Sequence, residues 1–378
     1  MNTGKIGPFY ARAKINWSLL MEGLREDGYH LLDTVMQRVS LFDEIVMTPA
    51  TEWSVQCSNA RLPANDKNTA LLAAKAYAKA AGLTDAYHIY ITKNIPVGAG
   101  LGGGSADAAA VLIALNERYG ALTREELLAL GLSIGADVPF CLTGGCARCT
   151  GVGEVMEPVQ PAGEYHLVIA GCGSSLNTAR VFRRYDALLE ANRAHEGAAL
   201  PEFEQQNPPL VCDEPFPWED ETERLTQAPE EHEIPAVCTG DALTKALIAA
   251  LSSGCAFTVA KSLNAFACRL KTSEGSAVAG GILCDERYVS EADCALCIAR
   301  AKELLCGAND LTFTACSLAP AVADTLLDLK CAGALAASMS GSGSACFGLF
   351  ADLESAQKAA KQLSHLPFCA VCSTERVD

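Results

Sequence analysis

The chain has 378 residues, of which 50% are hydrophobic and 20% are charged, enough for one large domain or two ordinary ones. Its formal net charge of −16 argues against a broad basic surface, so we expect neither a nucleic-acid partner nor an anionic membrane surface. It contains no apolar run of about 18 residues and no signal-peptide core, so we expect a cytoplasmic protein without membrane spans.

The first half of the chain mixes strand and helix patterns, which indicates an α+β fold. Thr123 and Glu126 have the spacing of a capping box at the start of one predicted helix. The predicted elements, in chain order, are two strands over 10–50 with a turn at 25–28, a helix at 68–82, a strand at 87–95, a helix ending near 119, a helix at 123–133 and strand-and-turn segments over 138–172.

A glycine-rich loop follows the strand at 87–95, with five glycines within the seven residues 98–104. A strand, a glycine loop and a helix start form a phosphate cradle, because glycines let backbone N–H groups approach an anion and the helix N-terminus favours negative charge. A flexible linker or tight turn is the alternative, but the flanks are apolar. The loop matches neither the Walker pattern nor the dinucleotide fingerprint. It predicts binding of a nucleoside triphosphate and phosphoryl transfer.

The second half begins at a buried strand near Tyr165. Its helical patterns cover 241–252, 290–306, 318–333 and 354–364. Residues 192–236 are rich in Pro and Glu, which is typical of a solvated, partly disordered insertion. A second loop of small residues comprises Ser340, Gly341, Ser342 and Gly343. A hairpin turn would explain this loop alone, whereas its pairing with the first glycine loop favours a shared site.

Lys14 and Asp137 are candidates for the chemistry of phosphoryl transfer, which needs charge neutralisation and often a base for the attacking hydroxyl. Lys14 lies mid-strand among apolar residues, where it is either a surface lysine or the partner of an anion. Asp137 lies just before Val138-Pro139, where it is either a helix cap or a catalytic carboxylate. A carboxylate paired with a lysine would stay ionised and could accept a hydroxyl proton.

Tyr29 and His30 follow the turn at 25–28 and are suited to stacking on and hydrogen-bonding a planar base, although an aromatic covering a hairpin is the alternative. We interpret Asp107 as a first-turn charge that favours the helix dipole and assign it no catalytic role.

Among the 18 cysteines, three pairs have the C-x-x-C spacing: Cys146/Cys149, Cys294/Cys297 and Cys369/Cys372. Two such pairs brought together would hold zinc. We favour free, reduced thiols and no resident metal, because no pair sits in a knuckle-like Gly/Lys setting.

Four segments together resemble the superfamily of galactokinase, homoserine kinase, mevalonate kinase and phosphomevalonate kinase. They are ARAKINWSLLMEGLREDGYH, IPVGAGLGGGSADAAAVLIALN, LGLSIGADVPFCLTGG with GVGE, and MSGSGSACFGLF. Within that superfamily, AKIN combined with DGYH is similar to the kinases that act on 4-diphosphocytidyl-2-C-methyl-D-erythritol in non-mevalonate isoprenoid biosynthesis. The resemblance covers about 1–185 and 305–365.

The resemblance implies a ribosomal-S5-like ATP-binding domain over 1–164 and a ferredoxin-like domain over 165–378, with an insertion within about 187–305. It implies phosphorylation of the substrate's 2-hydroxyl by ATP with Mg²⁺. Asp137 would be the base, and Lys14 would stabilise the developing charge.

The resemblance also implies binding residues for the two small-molecule partners, ATP and a cytidyl diphosphate sugar-alcohol. Tyr29 and Phe182 would sandwich the cytosine and His30 would hydrogen-bond it. The implied substrate residues are Asn16, Tyr29, His30, Thr178 and Phe182. The implied ATP residues are Asn65, Lys93, Pro96, Val97, Gly98, Ala99, Gly100, Leu101, Gly102, Gly103, Gly104, Ser105 and Ala106.

The sequence departs from the family pattern in two places. The first motif has Arg12 where a proline is usual, and the chain is longer than its relatives. Asn264 and Asn309 are therefore both candidates for the family's C-terminal Asn-Asp-Leu, and Asn309-Asp310-Leu311 is the better match. Two alternative functions are another small-molecule kinase of the superfamily and a non-catalytic nucleotide-binding regulator. The expected assembly is a monomer or a homodimer.

Overall fold

A computed structural model of the chain describes residues 4–60, 62–195, 240–265 and 308–375. Three sequence predictions therefore lie outside the described residues. They are the helix at 290–306, the Pro/Glu-rich insertion beyond residue 195 and the Cys294/Cys297 pair.

The N-terminal half is a six-stranded sheet covered by helices. Its strands run in the order β3-β4-β2-β5-β6, and β1 pairs antiparallel with β2. The elements are β1 (Ile6–Leu24), β2 (His30–Ala50), β3 (Ser54–Cys57), α1 (Thr69–Ala81), β4 (Ala86–Thr92), α2 (Gly103–Tyr119), α3 (Arg124–Ile134), α4 (Val138–Thr143), β5 (Cys146–Gly151) and β6 (Val155–Val159).

Local sequence signals account for the helices that position the site. The Asn68 side chain accepts a hydrogen bond from the backbone N–H of Ala70 and caps α1. The predicted capping box of α3 is present, with Thr123 and Glu126 bonding each other's backbone. The prediction of strand and turn over 138–143 is wrong. Pro139 lies in the first turn of α4, where its fixed φ and missing N–H suit a helix start.

The C-terminal half is a four-stranded antiparallel sheet in the order β10-β7-β9-β8. Counting only these strands, the order is 4-1-3-2, with helices between the first and second strands and between the third and fourth, which is the ferredoxin-like arrangement expected. The elements are β7 (His166–Gly171), α5 (Thr178–His195), α6 (Gly240–Ser253), α7 (Ala256–Ala265), α8 (Thr312–Leu318), α9 (Ala321–Cys331), β8 (Ala336–Met339), β9 (Ala345–Phe350), α10 (Leu353–Gln362) and β10 (Phe368–Ser373).

The two halves confirm the predicted α+β class and share a hydrophobic core. Trp17 of β1 is fully buried and packs edge-on against Tyr165 and Phe347, with ring centroids 5.9 and 5.5 Å away. The boundary predicted at residue 164 falls between β6 and β7 and stays a prediction. α5 was not predicted as a helix, although Val181, Tyr185 and Leu188 have helical spacing and are buried.

Both described C-x-x-C pairs lie on strands. Cys146 and Cys149 of β5 belong to two different hydrophobic clusters, and so do Cys369 and Cys372 of β10. Residues three apart on a strand point to opposite faces, so neither pair converges on a shared ligand position. Within the described ranges, no group of three or more His, Cys, Asp or Glu side chains is placed to hold a metal ion, and no helix has the length and apolar character to span a membrane.

Candidate active site

A cavity of about 990 Å³ lies between the two halves of the chain. Most of the residues predicted for the site line it. These are Lys14, Asn16, Tyr29, His30, Lys93, all ten residues from Pro96 to Ser105, Asp137, Thr178, Phe182, Gly341 and Ser342. Four predicted residues, namely Asn65, Ala106, Ser340 and Gly343, do not line it.

The two glycine loops are packed against each other on one side of this cavity. The Ser340 hydroxyl donates to the carbonyl of Gly100 at 3.0 Å, and the N–H of Ala345 donates to the carbonyl of Ala99 at 3.0 Å. Gly100 has φ 78°, and a Cβ there would lie 2.1 Å from the Ser340 carbonyl oxygen. The close approach therefore requires glycine at this position. Although Ser340 does not line the cavity, its hydrogen bond to Gly100 holds the first glycine loop in place.

Asn309 anchors the second loop from beneath. Its buried amide donates to the carbonyls of Met339 and Gly341, both at 2.8 Å, and its side-chain oxygen accepts from the N–H of Leu311. Asn264 instead donates to the Leu335 carbonyl at 3.3 Å, away from the loop. Of the two asparagines left open by the sequence, Asn309 is the one that contacts the site.

Lys14 and Asp137 meet in the lining of the cavity. Lys14 is 4% exposed, and its Nζ lies 3.5 Å from Oδ2 of Asp137 and donates to Oδ1 of Asn16 at 2.7 Å. Asn16 in turn donates to the Thr34 hydroxyl at 2.7 Å. Asp137 occupies the N-cap position of α4, but its side chain makes no capping hydrogen bond. Its carboxylate is paired with Lys14, and it faces the cavity.

Lys93 lies between two buried carboxylates under the start of α2. Its Nζ contacts Asp43 and lies 2.7 Å from Oδ2 of Asp107. Burial raises the pKa of Asp107 to about 7, although Lys93 opposes that rise. Burial lowers the pKa of Lys93, but the two carboxylates outweigh it and the net change is a rise. Asp43 also accepts from the N–H of Ile95 at 2.8 Å, which fixes the segment leading into the glycine loop.

The interpretation of Asp107 as a first-turn charge is wrong. The first turn of α2 contains no acidic residue, and Asp107 is 5% exposed and points inward to Lys93. One of its oxygens, Oδ1, is buried without a hydrogen-bond partner in the described part of the chain.

Aromatic and acidic side chains form the far end of the cavity. The His30 ring stacks obliquely on Phe182, with centroids 4.8 Å apart and an interplanar angle of 36°. His30 Nε2 lies 2.7 Å from Oδ1 of Asp186. Tyr29 is 62% exposed at the rim, and the Thr178 hydroxyl lies 2.9 Å from that of Ser342.

Sequence reasoning missed Asp186, which lines the cavity. The signal was present, since Thr178, Phe182 and Asp186 are spaced four residues apart and share one face of a helix. It was not usable because α5 itself was not predicted. The side chain of Asn65, which was predicted near the nucleotide, accepts from the N–H of Lys67, a residue that lines the cavity, and the role of Asn65 stays a prediction.

The comparisons with known proteins agree with this arrangement. The family model described as "GHMP kinases N terminal domain" matches residues 68–145, and the one described as "GHMP kinases C terminal" matches residues 297–367. A crystal structure of 4-(cytidine 5'-diphospho)-2C-methyl-D-erythritol kinase superposes with a TM-score of 0.61 at 27% identity, covering 97% of this chain and 99% of that chain. The fold and the paired glycine loops define a kinase of the GHMP class.

Two curated relatives are named 4-diphosphocytidyl-2-C-methyl-D-erythritol kinase. The one from Clostridium tetani is 40% identical over 204 residues, which are 53% of this chain and 73% of the relative. The one from Alkaliphilus metalliredigens is 41% identical over 179 residues, which are 47% of this chain and 62% of the relative, so the matched region spans about six tenths of that protein. The chain belongs to the 4-diphosphocytidyl-2-C-methyl-D-erythritol kinase family.

Proposed function

We propose that this chain transfers the γ-phosphoryl group of ATP to the 2-hydroxyl of 4-diphosphocytidyl-2-C-methyl-D-erythritol. The observation that carries the proposal is the position of the Lys14–Asp137 pair. The pair lines the same cavity as the first glycine loop and as the side chains of Tyr29, His30 and Phe182. The family membership and the relatives' names support the same substrate.

Asp137 acts as the general base in this proposal. Asp137 accepts the proton of the 2-hydroxyl as the hydroxyl oxygen bonds to the γ-phosphorus and the bond from that phosphorus to the bridging oxygen of ADP breaks. Asn16 orients Lys14 through its 2.7 Å hydrogen bond. The ammonium group of Lys14 neutralises charge that develops on the transferred group.

The first glycine loop binds the phosphates of ATP through backbone N–H groups and the N-terminus of α2. Mg²⁺ fits this position, because Oδ1 of Asp107 is a buried carboxylate oxygen with no hydrogen-bond partner in the described residues, and Ser105 lines the cavity nearby. Mg²⁺ is commonly held by one or two carboxylates together with substrate phosphates. Asp107 would hold the ion, which supplies neutralisation of the phosphate charge.

The cytidyl group occupies the far end of the cavity. Tyr29 and Phe182 are available to stack on the base, and His30 lies beside Phe182 to hydrogen-bond it. This arrangement favours a nucleotide-bearing substrate over mevalonate or a free sugar, which present no planar base.

Because ATP is an intracellular cofactor, we place the reaction in the cytoplasm. The monomer or homodimer expected from the sequence stays a prediction.

An ADP-release assay with Mg-ATP tests the proposal. We expect turnover with 4-diphosphocytidyl-2-C-methyl-D-erythritol and none with mevalonate, homoserine or galactose at equal concentration. Turnover with one of the other acceptors instead would assign the chain to another activity of the superfamily. Measurable ATP binding without turnover of any acceptor would favour the non-catalytic regulator.

A further inference from the structure

Asp186 lies where its carboxylate controls the proton on a neighbouring histidine. It sits one helical turn after Phe182 on the cavity side of α5, and its Oδ1 lies 2.7 Å from Nε2 of His30. The His30 side chain is 13% exposed, whereas that of Asp186 is 43% exposed. The contact joins α5 to the first residue of β2, 156 residues earlier in the chain.

An ionised carboxylate only accepts hydrogen bonds, so Nε2 of His30 must carry the proton in this contact. In a neutral imidazole the other ring nitrogen, Nδ1, then has a free lone pair and is an acceptor. The ring of Phe182, 4.8 Å away, and the edge of Tyr185, with its centroid 6.2 Å away, limit the orientations of the imidazole. When the imidazole is neutral, the contact therefore favours the Nε2–H tautomer and limits the direction in which Nδ1 points.

We propose that Asp186 is a positioning residue that makes the base subsite select an amino-bearing pyrimidine over a carbonyl-bearing one. This inference rests on the proposed function, which places the pyrimidine beside His30. Cytosine carries an amino donor at C4, and uracil carries a carbonyl acceptor at the same place. When Nδ1 of the histidine is held as an acceptor, it accepts a hydrogen bond from the amino group of cytosine. Opposite the carbonyl of uracil, the same nitrogen faces a second acceptor and no hydrogen bond forms. Such an unfavourable contact with the wrong ligand is a source of specificity.

Binding of CDP and UDP to the full chain, measured by calorimetry without ATP, tests the proposal. We expect the wild type to bind CDP more tightly than UDP. In Asp186→Ala, that preference falls by about three- to tenfold, the range of one neutral hydrogen bond, whereas the near-isosteric Asp186→Asn keeps an acceptor oxygen and loses less of it. The change comes from weaker CDP binding. Glu190→Gln, an exposed position one turn further along α5, is the matched control and keeps the wild-type preference.

Histidine ¹⁵N spectra at pH 8 give a readout that a packing role would not change. The chain has six histidines, and a His30→Gln variant identifies the His30 signals. We expect the Nε2–H tautomer in the wild type and a mixture in Asp186→Ala. Three results would overturn the proposal: an Nδ1–H tautomer in the wild type, no wild-type preference for CDP, or equal losses for CDP and UDP in both variants.

These measurements are separable from the test of the proposed function. The tautomer and the CDP/UDP ratio need no phosphoryl transfer. A chain that fails the ADP-release assay but keeps an Asp186-dependent CDP preference refutes the proposed kinase activity and supports the role of Asp186. A chain that passes the assay but shows no such dependence refutes the role of Asp186 alone.

Discussion

At the scale of single residues, the site depends on charges that are kept out of water and paired. Lys14 is almost fully buried, and burial of an unpaired ammonium is costly, so Asp137 and Asn16 stabilise it in the folded chain. The side chain of Asp137 is 34% exposed and lines the cavity, where a hydroxyl group can reach it. The sequence offered Lys14 as a surface residue or an anion partner, and its burial decides between them.

Asp137→Asn tests the role of this carboxylate. An amide keeps the shape and removes the proton acceptor, so we expect kcat to fall by about 10²- to 10⁴-fold. The Kd for ATP should stay near the wild-type value, because the amide keeps the shape of the side chain and the first glycine loop binds phosphate through backbone N–H groups. Single-turnover kinetics and ATP titration measure the two quantities. Asp328→Asn, a surface position on α9, is the control. A kcat near that of the wild type would remove Asp137 from the role of base.

At the scale of elements, two loops far apart in the chain form one wall of the site. Positive φ values at Gly100 and Gly341 allow backbone to approach backbone, and Asn309 fixes the second loop by two hydrogen bonds. Asp43 and Lys93 fix the entry to the first loop. The phosphate cradle is therefore held in shape before a nucleotide binds, which lowers the entropy lost on binding.

Gly100→Ala tests the contact between the loops. The added Cβ would lie 2.1 Å from the Ser340 carbonyl oxygen, so the loops must separate. We expect the KM for ATP to rise by roughly tenfold or more, which corresponds to at least about 1.4 kcal/mol. Gly120→Ala is the matched control. Gly120 also has a positive φ, 58°, but a Cβ there meets no atom within 4 Å. Equal kinetic losses in the two variants would show that backbone strain alone is responsible.

At the scale of the whole molecule, the cavity exists because two sheets share one core. Trp17 of the N-terminal sheet packs against Tyr165 and Phe347 of the C-terminal half. The chain end also returns to the first sheet, where Glu375 contacts Arg38 and lies 3.0 Å from Arg12. These contacts fix the distance between the phosphate loop and the base subsite.

Trp17→Ala tests the shared core. Removing a fully buried indole leaves a cavity between the sheets, so we expect the free energy of unfolding to fall by about 3–5 kcal/mol in urea titrations. Trp17→Phe should cost less, because the indole Nε1 has no hydrogen-bond partner among the described residues. Trp53→Ala, at a half-buried position near Tyr87, is the comparison. A loss below about 1 kcal/mol for Trp17→Ala would contradict a core that joins the two halves.

The sequence by itself determined the features that depend on near neighbours in the chain. The capping box at Thr123, the helix predicted at 68–82 and observed at Thr69–Ala81, and the glycine loop at 98–104 follow from hydrogen-bonding groups, apolar periodicity and φ requirements within a few residues. The sequence also indicated Lys14 and Asp137 as candidates, because their setting among small and apolar residues is unusual for charges, and their catalytic roles stay predictions.

Only the tertiary structure decided which distant groups meet. Asn309 and not Asn264 holds the second loop, Asp107 turns inward to Lys93, and Asp186 reaches His30. The last two contacts depend on how sheets and helices pack, and the hydrogen bond between the loops joins residues 240 positions apart. The local sequence propensity for helix or strand carries no information about such pairs. The distance between the two members of a pair is fixed by the burial of the core that the two sheets share.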